Sequence, residues 1–192
     1  MAAGQTARLI NVSDLAGPFR VSRTTIRDYV TLLNRVFLLE ELPPWHSNRL
    51  RRLIKTPKLH MGDTGLASAL LGVDVDALRG DRKLFGQLLE TFVLQELRRQ
   101  ASGQEDGFRF HHYRDKDGAE VDVVLERSTG HLAGFEVKAA ATVTRKDFRG
   151  LRRLQTSAGD RFAAGVVLYD GEASVGFGTG LRAVPLRTLW EI

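Results

Sequence analysis

The sequence predicts an α/β protein in two parts, a helical N-terminal module followed by a mixed sheet flanked by helices. Three stretches carry that expectation. Gly118 to Ala141 holds two strand-like runs around a short polar turn. Lys83 to Arg99 repeats Leu84, Phe85, Leu88, Leu89, Phe92, Val93 and Leu97 at helical spacing. Phe162 to Tyr169 is nearly unbroken apolar sequence, the pattern of a strand covered on both faces. With 192 residues, 43% of them hydrophobic, the chain can bury a substantial core.

In chain order, Ser13 to Ala16 opens a short helix, and Gly17-Pro18 ends it because the residue before proline avoids the helical region. Ser22 is a good N-cap for a second helix, in which Ile26, Tyr29, Val30, Leu33 and Phe37 recur on one side. Short helix, tight turn and longer helix make a helix-turn-helix pattern. Phe37 to Leu42 reads as a strand, Pro43-Pro44 as a turn and Lys58 to Met61 as another strand, which together suggest a winged-helix-like module. Arg49, Arg51, Arg52, Lys55 and Lys58 cluster in its wing, and Arg23 and Arg27 open its second helix. Two readings are open: contact with DNA phosphates, or a solvated charged face.

Asp63-Thr64-Gly65-Leu66 starts a further helix with Ala67, Leu70 and Leu71 on its apolar face, and Gly72 stops it. Residues 73 to 82 read as a connection, which places a boundary near Gly80 and divides the chain into 1–80 and 81–192. In the Lys83–Arg99 helix, Glu90 lies at the margin of the apolar stripe and Glu96 nearer its centre. Each is either a site residue or an ordinary glutamate paired with arginine.

Phe108 to Arg114 is a strand and Asp115 to Gly118 a turn. His111-His112 is an unpromising metal pair, since adjacent strand residues point to opposite faces. In the hairpin that follows, Glu120 and Asp122 share one strand face, and Val121, Val123 and Leu125 the other. Glu136 and Lys138 share a face of the next strand. Ser128-Thr129-Gly130 fits a three-residue loop with Gly130 left-handed. A turn about Thr129 sets Asp122 opposite Glu136, a repulsive pair that a cation between them would explain. Thr144 caps a basic helix to about Ser157, Leu181 to Leu186 is a last strand, and Leu189-Trp190 packs the tail.

The chain has no cysteine, which excludes disulfides and thiolate-ligated zinc. No apolar run approaches the roughly 20 residues that span a membrane. The first residues lack a signal-peptide core. The expectation is a cytoplasmic protein without membrane partners. A net charge of +5 permits nucleic-acid binding without requiring it.

Asp122, followed thirteen residues later by Glu136-Val137-Lys138 and preceded by the helix Glu90, resembles the PD-(D/E)XK nuclease superfamily, with Val121 where that name has proline. The resemblance covers about residues 83 to 185. It implies a restriction-endonuclease-like domain in which Glu90, Asp122, Glu136 and Lys138 are catalytic. Mg²⁺ or Mn²⁺ would be held by Asp122, Glu136, Glu90 and the carbonyl of Val137. Glu120 would support these ligands from the same strand face. A closer resemblance runs through INVSDLAGPFRVSRTTIRDYVTLLNRVFLLEELPPW, KTPKLHMGDTGLASALLG, GQLLETFVLQEL, EVDVVLE and FEVKAA. These five stretches, in order, are similar to the domain of unknown function (DUF) 4143 family. That family implies a winged helix plus a PD-(D/E)XK-like fold lying C-terminal to an AAA+ ATPase module in prokaryotes. No G-x-x-x-x-G-K-[ST] occurs here, so the chain has no P-loop ATP site of its own. The expected partners are DNA, an AAA+ ATPase module in cis or in trans, and further copies in an oligomer. Two functions remain open: a metal-dependent deoxyribonuclease, or a non-catalytic DNA- or protein-binding domain that regulates or assembles an ATPase.

Overall fold

A computed structural model describes residues 2–16, 20–46, 55–105 and 107–191. The chain divides into two compact units, Met1–Leu42 with Thr56–Gln95, and Pro43–Lys55 with Glu96–Ile192.

The first unit opens with a 3-10 turn, Ala2–Gln5, then β1 (Arg8–Leu9) and α1 (Val12–Ala16). α2 (Arg23–Arg35) follows, and Ser22 caps it by accepting from the Thr25 N–H at 3.1 Å. Ile26 and Val30 are the buried positions of α2. Phe37 departs from the expected stripe. The helix has ended, Phe37 takes a φ of +60°, and its side chain is 85% exposed. The ending is a Schellman motif: Phe37 N donates to Asn34 O at 3.1 Å and Leu38 N to Leu33 O at 3.0 Å. Glycine is the usual residue at that left-handed position, and an L side chain costs roughly 1–2 kcal/mol there.

β2 (Leu39–Leu42) and β3 (Lys58–Met61) come next, and β3 lies between β1 and β2 in an antiparallel three-stranded sheet. Every side chain of β3 is buried. α3 (Thr64–Leu71) has Asp63 as N-cap and left-handed Gly72 as its stop. Ala67 is fully buried, but Leu70 is 64% exposed and faces away from the core. The expected connection contains a six-residue helix, α4 (Val75–Gly80), capped by Asp74. α5 (Arg82–Ser102) is the longest helix. Its Thr91, Val93 and Leu94 are all fully buried, so burial in the middle of the helix extends beyond the expected stripe.

The second unit holds six strands in the order β4-β5-β6-β7-β9-β8. They are β4 (Phe108–Arg114), β5 (Glu120–Arg127), β6 (Leu132–Lys138), β7 (Phe162–Tyr169), β8 (Val175–Gly178) and β9 (Leu181–Pro185). β4, β5 and β6 run antiparallel in turn. β6, β7 and β9 are mutually parallel, and β8 is an antiparallel edge. The domain is therefore mixed α/β, as the sequence indicated. β8 escaped the sequence reading.

α6 (Arg149–Ala158) crosses between the parallel strands β6 and β7. Its Leu151 and Leu154 are fully buried, and burial of each contributes about 1.5–3 kcal/mol. Gly134 lets them approach: a Cβ there would stand 2.7 and 2.8 Å from the two leucine side chains. Gly150 brings the helix backbone itself against β5, since any Cβ would collide with the Glu120 carbonyl.

Candidate functional site

Asp122, Glu136, Val137 and Lys138 come together where β5 and β6 meet. The β5–β6 ladder pairs Glu126 with Leu132 through to Val123 with Phe135, the register that a turn about Thr129 requires. Gly130 closes the turn at φ +85°, and its N–H donates to Arg127 O at 2.8 Å. The ladder stops one step short of Asp122. Across β4, His111 pairs with Val124 and Tyr113 with Val121, so His112 stands against both Asp122 and Val123. This is a β-bulge in β5, and it breaks the expected alternation. Val121 and Val124, not Val121 with Val123, join one core cluster. The bulge falls at the aspartate.

Asp122 is 7% exposed, and its Oδ2 accepts the Val137 N–H at 2.9 Å. Glu136 is 9% exposed, and its Oε1 accepts from Lys138 Nζ at 2.8 Å. Lys138 ends β6 and pairs with Tyr169, the last residue of β7. The cluster thus lies at the carboxyl end of the first parallel strand, where the sheet changes from antiparallel to parallel. Ligand crevices of open α/β sheets form at such ends.

Desolvation alone would lower the Lys138 pKa. The charge and hydrogen bond of Glu136, with Asp122 and Asp147 behind it, outweigh that effect and raise it above its ordinary 10.5. Sequence reading missed Asp147. Its signal was the T-x-x-D capping box, in which Asp147 Oδ2 accepts from Thr144 N at 2.8 Å and from Thr144 Oγ1 at 2.9 Å. Glu120 faces Arg114 on β4 at 3.1 Å.

Asp122 and Glu136 are hard oxygen donors on neighbouring strands, and carboxylate oxygens each accept more than one partner. Among the described residues no group of three or more His, Asp and Glu side chains could hold a metal ion. Mg²⁺ commonly takes one or two carboxylates and retains several waters, so this pair fits it in kind.

Glu90 is described with the first unit. There its Oε1 accepts from Lys58 Nζ at 2.7 Å, and His60 Nε2 lies 4.0 Å away. That lysine comes from a strand. Glu96 does pair with Arg99 on its own helix, and also accepts from Trp190 Nε1 at 3.3 Å. Lys58 is 1% exposed on the central strand β3, so it is a buried ion-pair member and not a phosphate-contacting surface residue. Arg23 and Arg27 line a polar cleft of about 560 Å³ together with Glu41 and Thr31. Lys55 is exposed. Arg49, Arg51 and Arg52 lie outside the described residues. On the basic helix α6, Arg149 donates to Asp117 O at 2.8 Å and Arg152 to Phe177 O at 2.8 Å. No described helix is long and apolar enough to cross a membrane.

The sequence profile of the family described as domain of unknown function (DUF4143) matches residues 85–189, more than half of the chain. A second profile, domain of unknown function (DUF8612), matches residues 1–77. Two relatives, uncharacterized protein Rv2008c of Mycobacterium tuberculosis and uncharacterized protein Mb2031c of Mycobacterium bovis, are each 32% identical over 188 residues. The match covers 96% of this chain and 40% of each relative.

Proposed function

Because the chain belongs to the family described as domain of unknown function (DUF4143), a name that carries no activity, we propose from its own residues a PD-(D/E)XK nuclease-like domain that cleaves DNA phosphodiesters with a divalent metal. One observation carries the reading. Two carboxylates, Asp122 and Glu136, are buried on neighbouring strands, and both act with Asp147 on the Lys138 ammonium. Paired hard oxygen donors at a strand end beside a lysine suit a divalent ion.

Asp122, Glu136 and the Val137 carbonyl would hold Mg²⁺ or Mn²⁺. When bound, the ion supplies Lewis acidity toward a phosphate oxygen and toward water. Lys138 keeps its proton at neutral pH, because its pKa is raised above 10.5. As an ammonium it would act as a hydrogen-bond donor and positive charge toward a phosphate. The bulge at Asp122 and the N–H of Val137 hold the aspartate side chain in place.

The first unit is read as a winged-helix-like module in which Arg23 and Arg27 contact the DNA backbone. An ATPase module of the AAA+ type is the proposed partner, in cis or in trans. The test is cleavage of single- and double-stranded DNA in Mg²⁺ and Mn²⁺. Activity lost in Lys138→Ala and Asp122→Asn supports the proposal. No cleavage by folded protein across both metals and both DNA forms removes it.

The second reading, a non-catalytic binding domain, is favoured by a different observation. Asp122 already accepts the Val137 N–H, and Glu136 already accepts from Lys138. On that reading the cluster is a polar support of the fold, and DNA binding through Arg23 and Arg27 persists without metal.

A further inference from the structure

The first unit carries an apolar face that its own fold leaves open. Tyr29, Leu32, Val36, Phe37, Leu38 and Leu70 are 40% to 85% exposed. Behind them lies an apolar groove of about 420 Å³ whose walls include Leu32, Leu33, Leu38, Leu66 and Leu70. Phe37 stands outside the groove, one residue from its wall. The backbone holds it there at φ +60° through the Schellman bonds, and Gly62 packs so tightly on the Phe37 carbonyl that a Cβ would collide with it. A glycine would make the same turn without strain. An aromatic side chain kept in solvent at a position that disfavours it calls for a partner.

We propose that this face joins two copies of the chain, with Phe37 of each inserted into the groove of the other. Knob and groove lie next to each other on one unit, so a two-fold axis matches both at once. The area suits a second copy. The six residues expose roughly 600 Å² of side chain, taking about 150–250 Å² for a large apolar residue. A standard interface buries about 800 Å² per partner, of which homodimers make about 65% apolar, on the order of 500 Å². The open face supplies that apolar core.

The experiment is sedimentation velocity over a concentration series on the wild-type chain, Phe37→Gly and Leu32→Glu. Thermal melts are run at a dilution where all are monomeric. The expected result is a wild-type dimer that dissociates on dilution, with a dissociation constant raised at least tenfold in both variants. The Phe37→Gly monomer melts at the same or a higher temperature, because glycine relieves the left-handed strain. A Phe37→Gly monomer that melts lower shows that Phe37 packs in its own fold and overturns the proposal, and Leu32→Glu tests the face independently. A wild-type chain monomeric at every concentration overturns it too. Variants that dimerise as tightly as wild type place the interface elsewhere and overturn it equally.

Discussion

Asp122 Oδ2 accepts the N–H of Val137 at 2.9 Å, just beyond the last ladder pair of the hairpin, Val123 with Phe135. A side chain replaces a main-chain acceptor there. The bond fixes the aspartate against Glu136-Val137-Lys138, the segment that carries the other site residues. Asp122→Ala removes the acceptor from a part-buried N–H, at a cost of about 1 kcal/mol. Asp122→Asn retains an amide oxygen and costs less. Urea unfolding of the two variants orders them, and equal stabilities would deny the bond a structural role.

Gly150→Ala tests the seat of α6 on β5. The new methyl collides with the backbone carbonyl of Glu120, which cannot rotate aside. Overpacking costs typically about 1–3 kcal/mol and more where backbone must move, so a loss of at least ~3 kcal/mol is expected from chemical denaturation. A loss below ~1 kcal/mol would mean that the helix is not held against that strand.

Lys58 and Glu90 form an ion pair in the first unit, with side chains 2% and 13% exposed. Lys58→Met removes the ammonium from a largely buried carboxylate, and breaking such a pair costs about 3–5 kcal/mol. The double variant Lys58→Met/Glu90→Leu should recover most of that loss, because paired apolar replacements are often neutral. A double variant no better than the single one would show that Lys58 acts through other partners.

Stability should fall at both ends of the pH scale. Burial, partly opposed by the charge of Glu126, lowers the His111 pKa below 6.5. The unfolded chain therefore binds more protons below that pH, so His111's contribution is full above about 6.5 and is lost as pH falls toward its folded pKa. At the alkaline end, burial raises Tyr113 above 10.0, and the carboxylates around Lys138 raise it above 10.5. Both contributions are full below those values and are lost as pH climbs past them. Urea midpoints across pH read both limbs. His111→Phe should flatten the acid limb, and an unchanged limb would assign it elsewhere.

Much of this was legible because local chemistry fixed it. Ser22, Asp63 and Gly72 mark helix ends by hydrogen bonds that any context would keep. Ser128-Thr129-Gly130 sets the hairpin register by turn geometry alone. What was not legible depended on distant partners. The bulge at Asp122 is defined by its pairing with His112 on another strand, and the alternation of Glu120 to Arg127 gives no sign of it. Thr91 is buried because Thr6 Oγ1 and His60 Nδ1 reach it at 2.8 and 3.1 Å. Lys58 reads as one more wing cation until Glu90 is found beside it. β8, Val-Gly-Phe-Gly, has too much glycine to show a strand pattern.

The central claim is that Asp122 and Glu136 hold a divalent ion beside Lys138. Calorimetric titration of Mn²⁺ into wild type and Glu136→Gln tests it most directly, with circular dichroism to confirm that both are folded. The account requires one saturable site per chain in the wild type and its loss, or a tenfold or greater weakening, in Glu136→Gln. No binding to folded wild-type protein, or equal binding to both, would contradict it and leave the cluster as a salt-bridged support of the sheet.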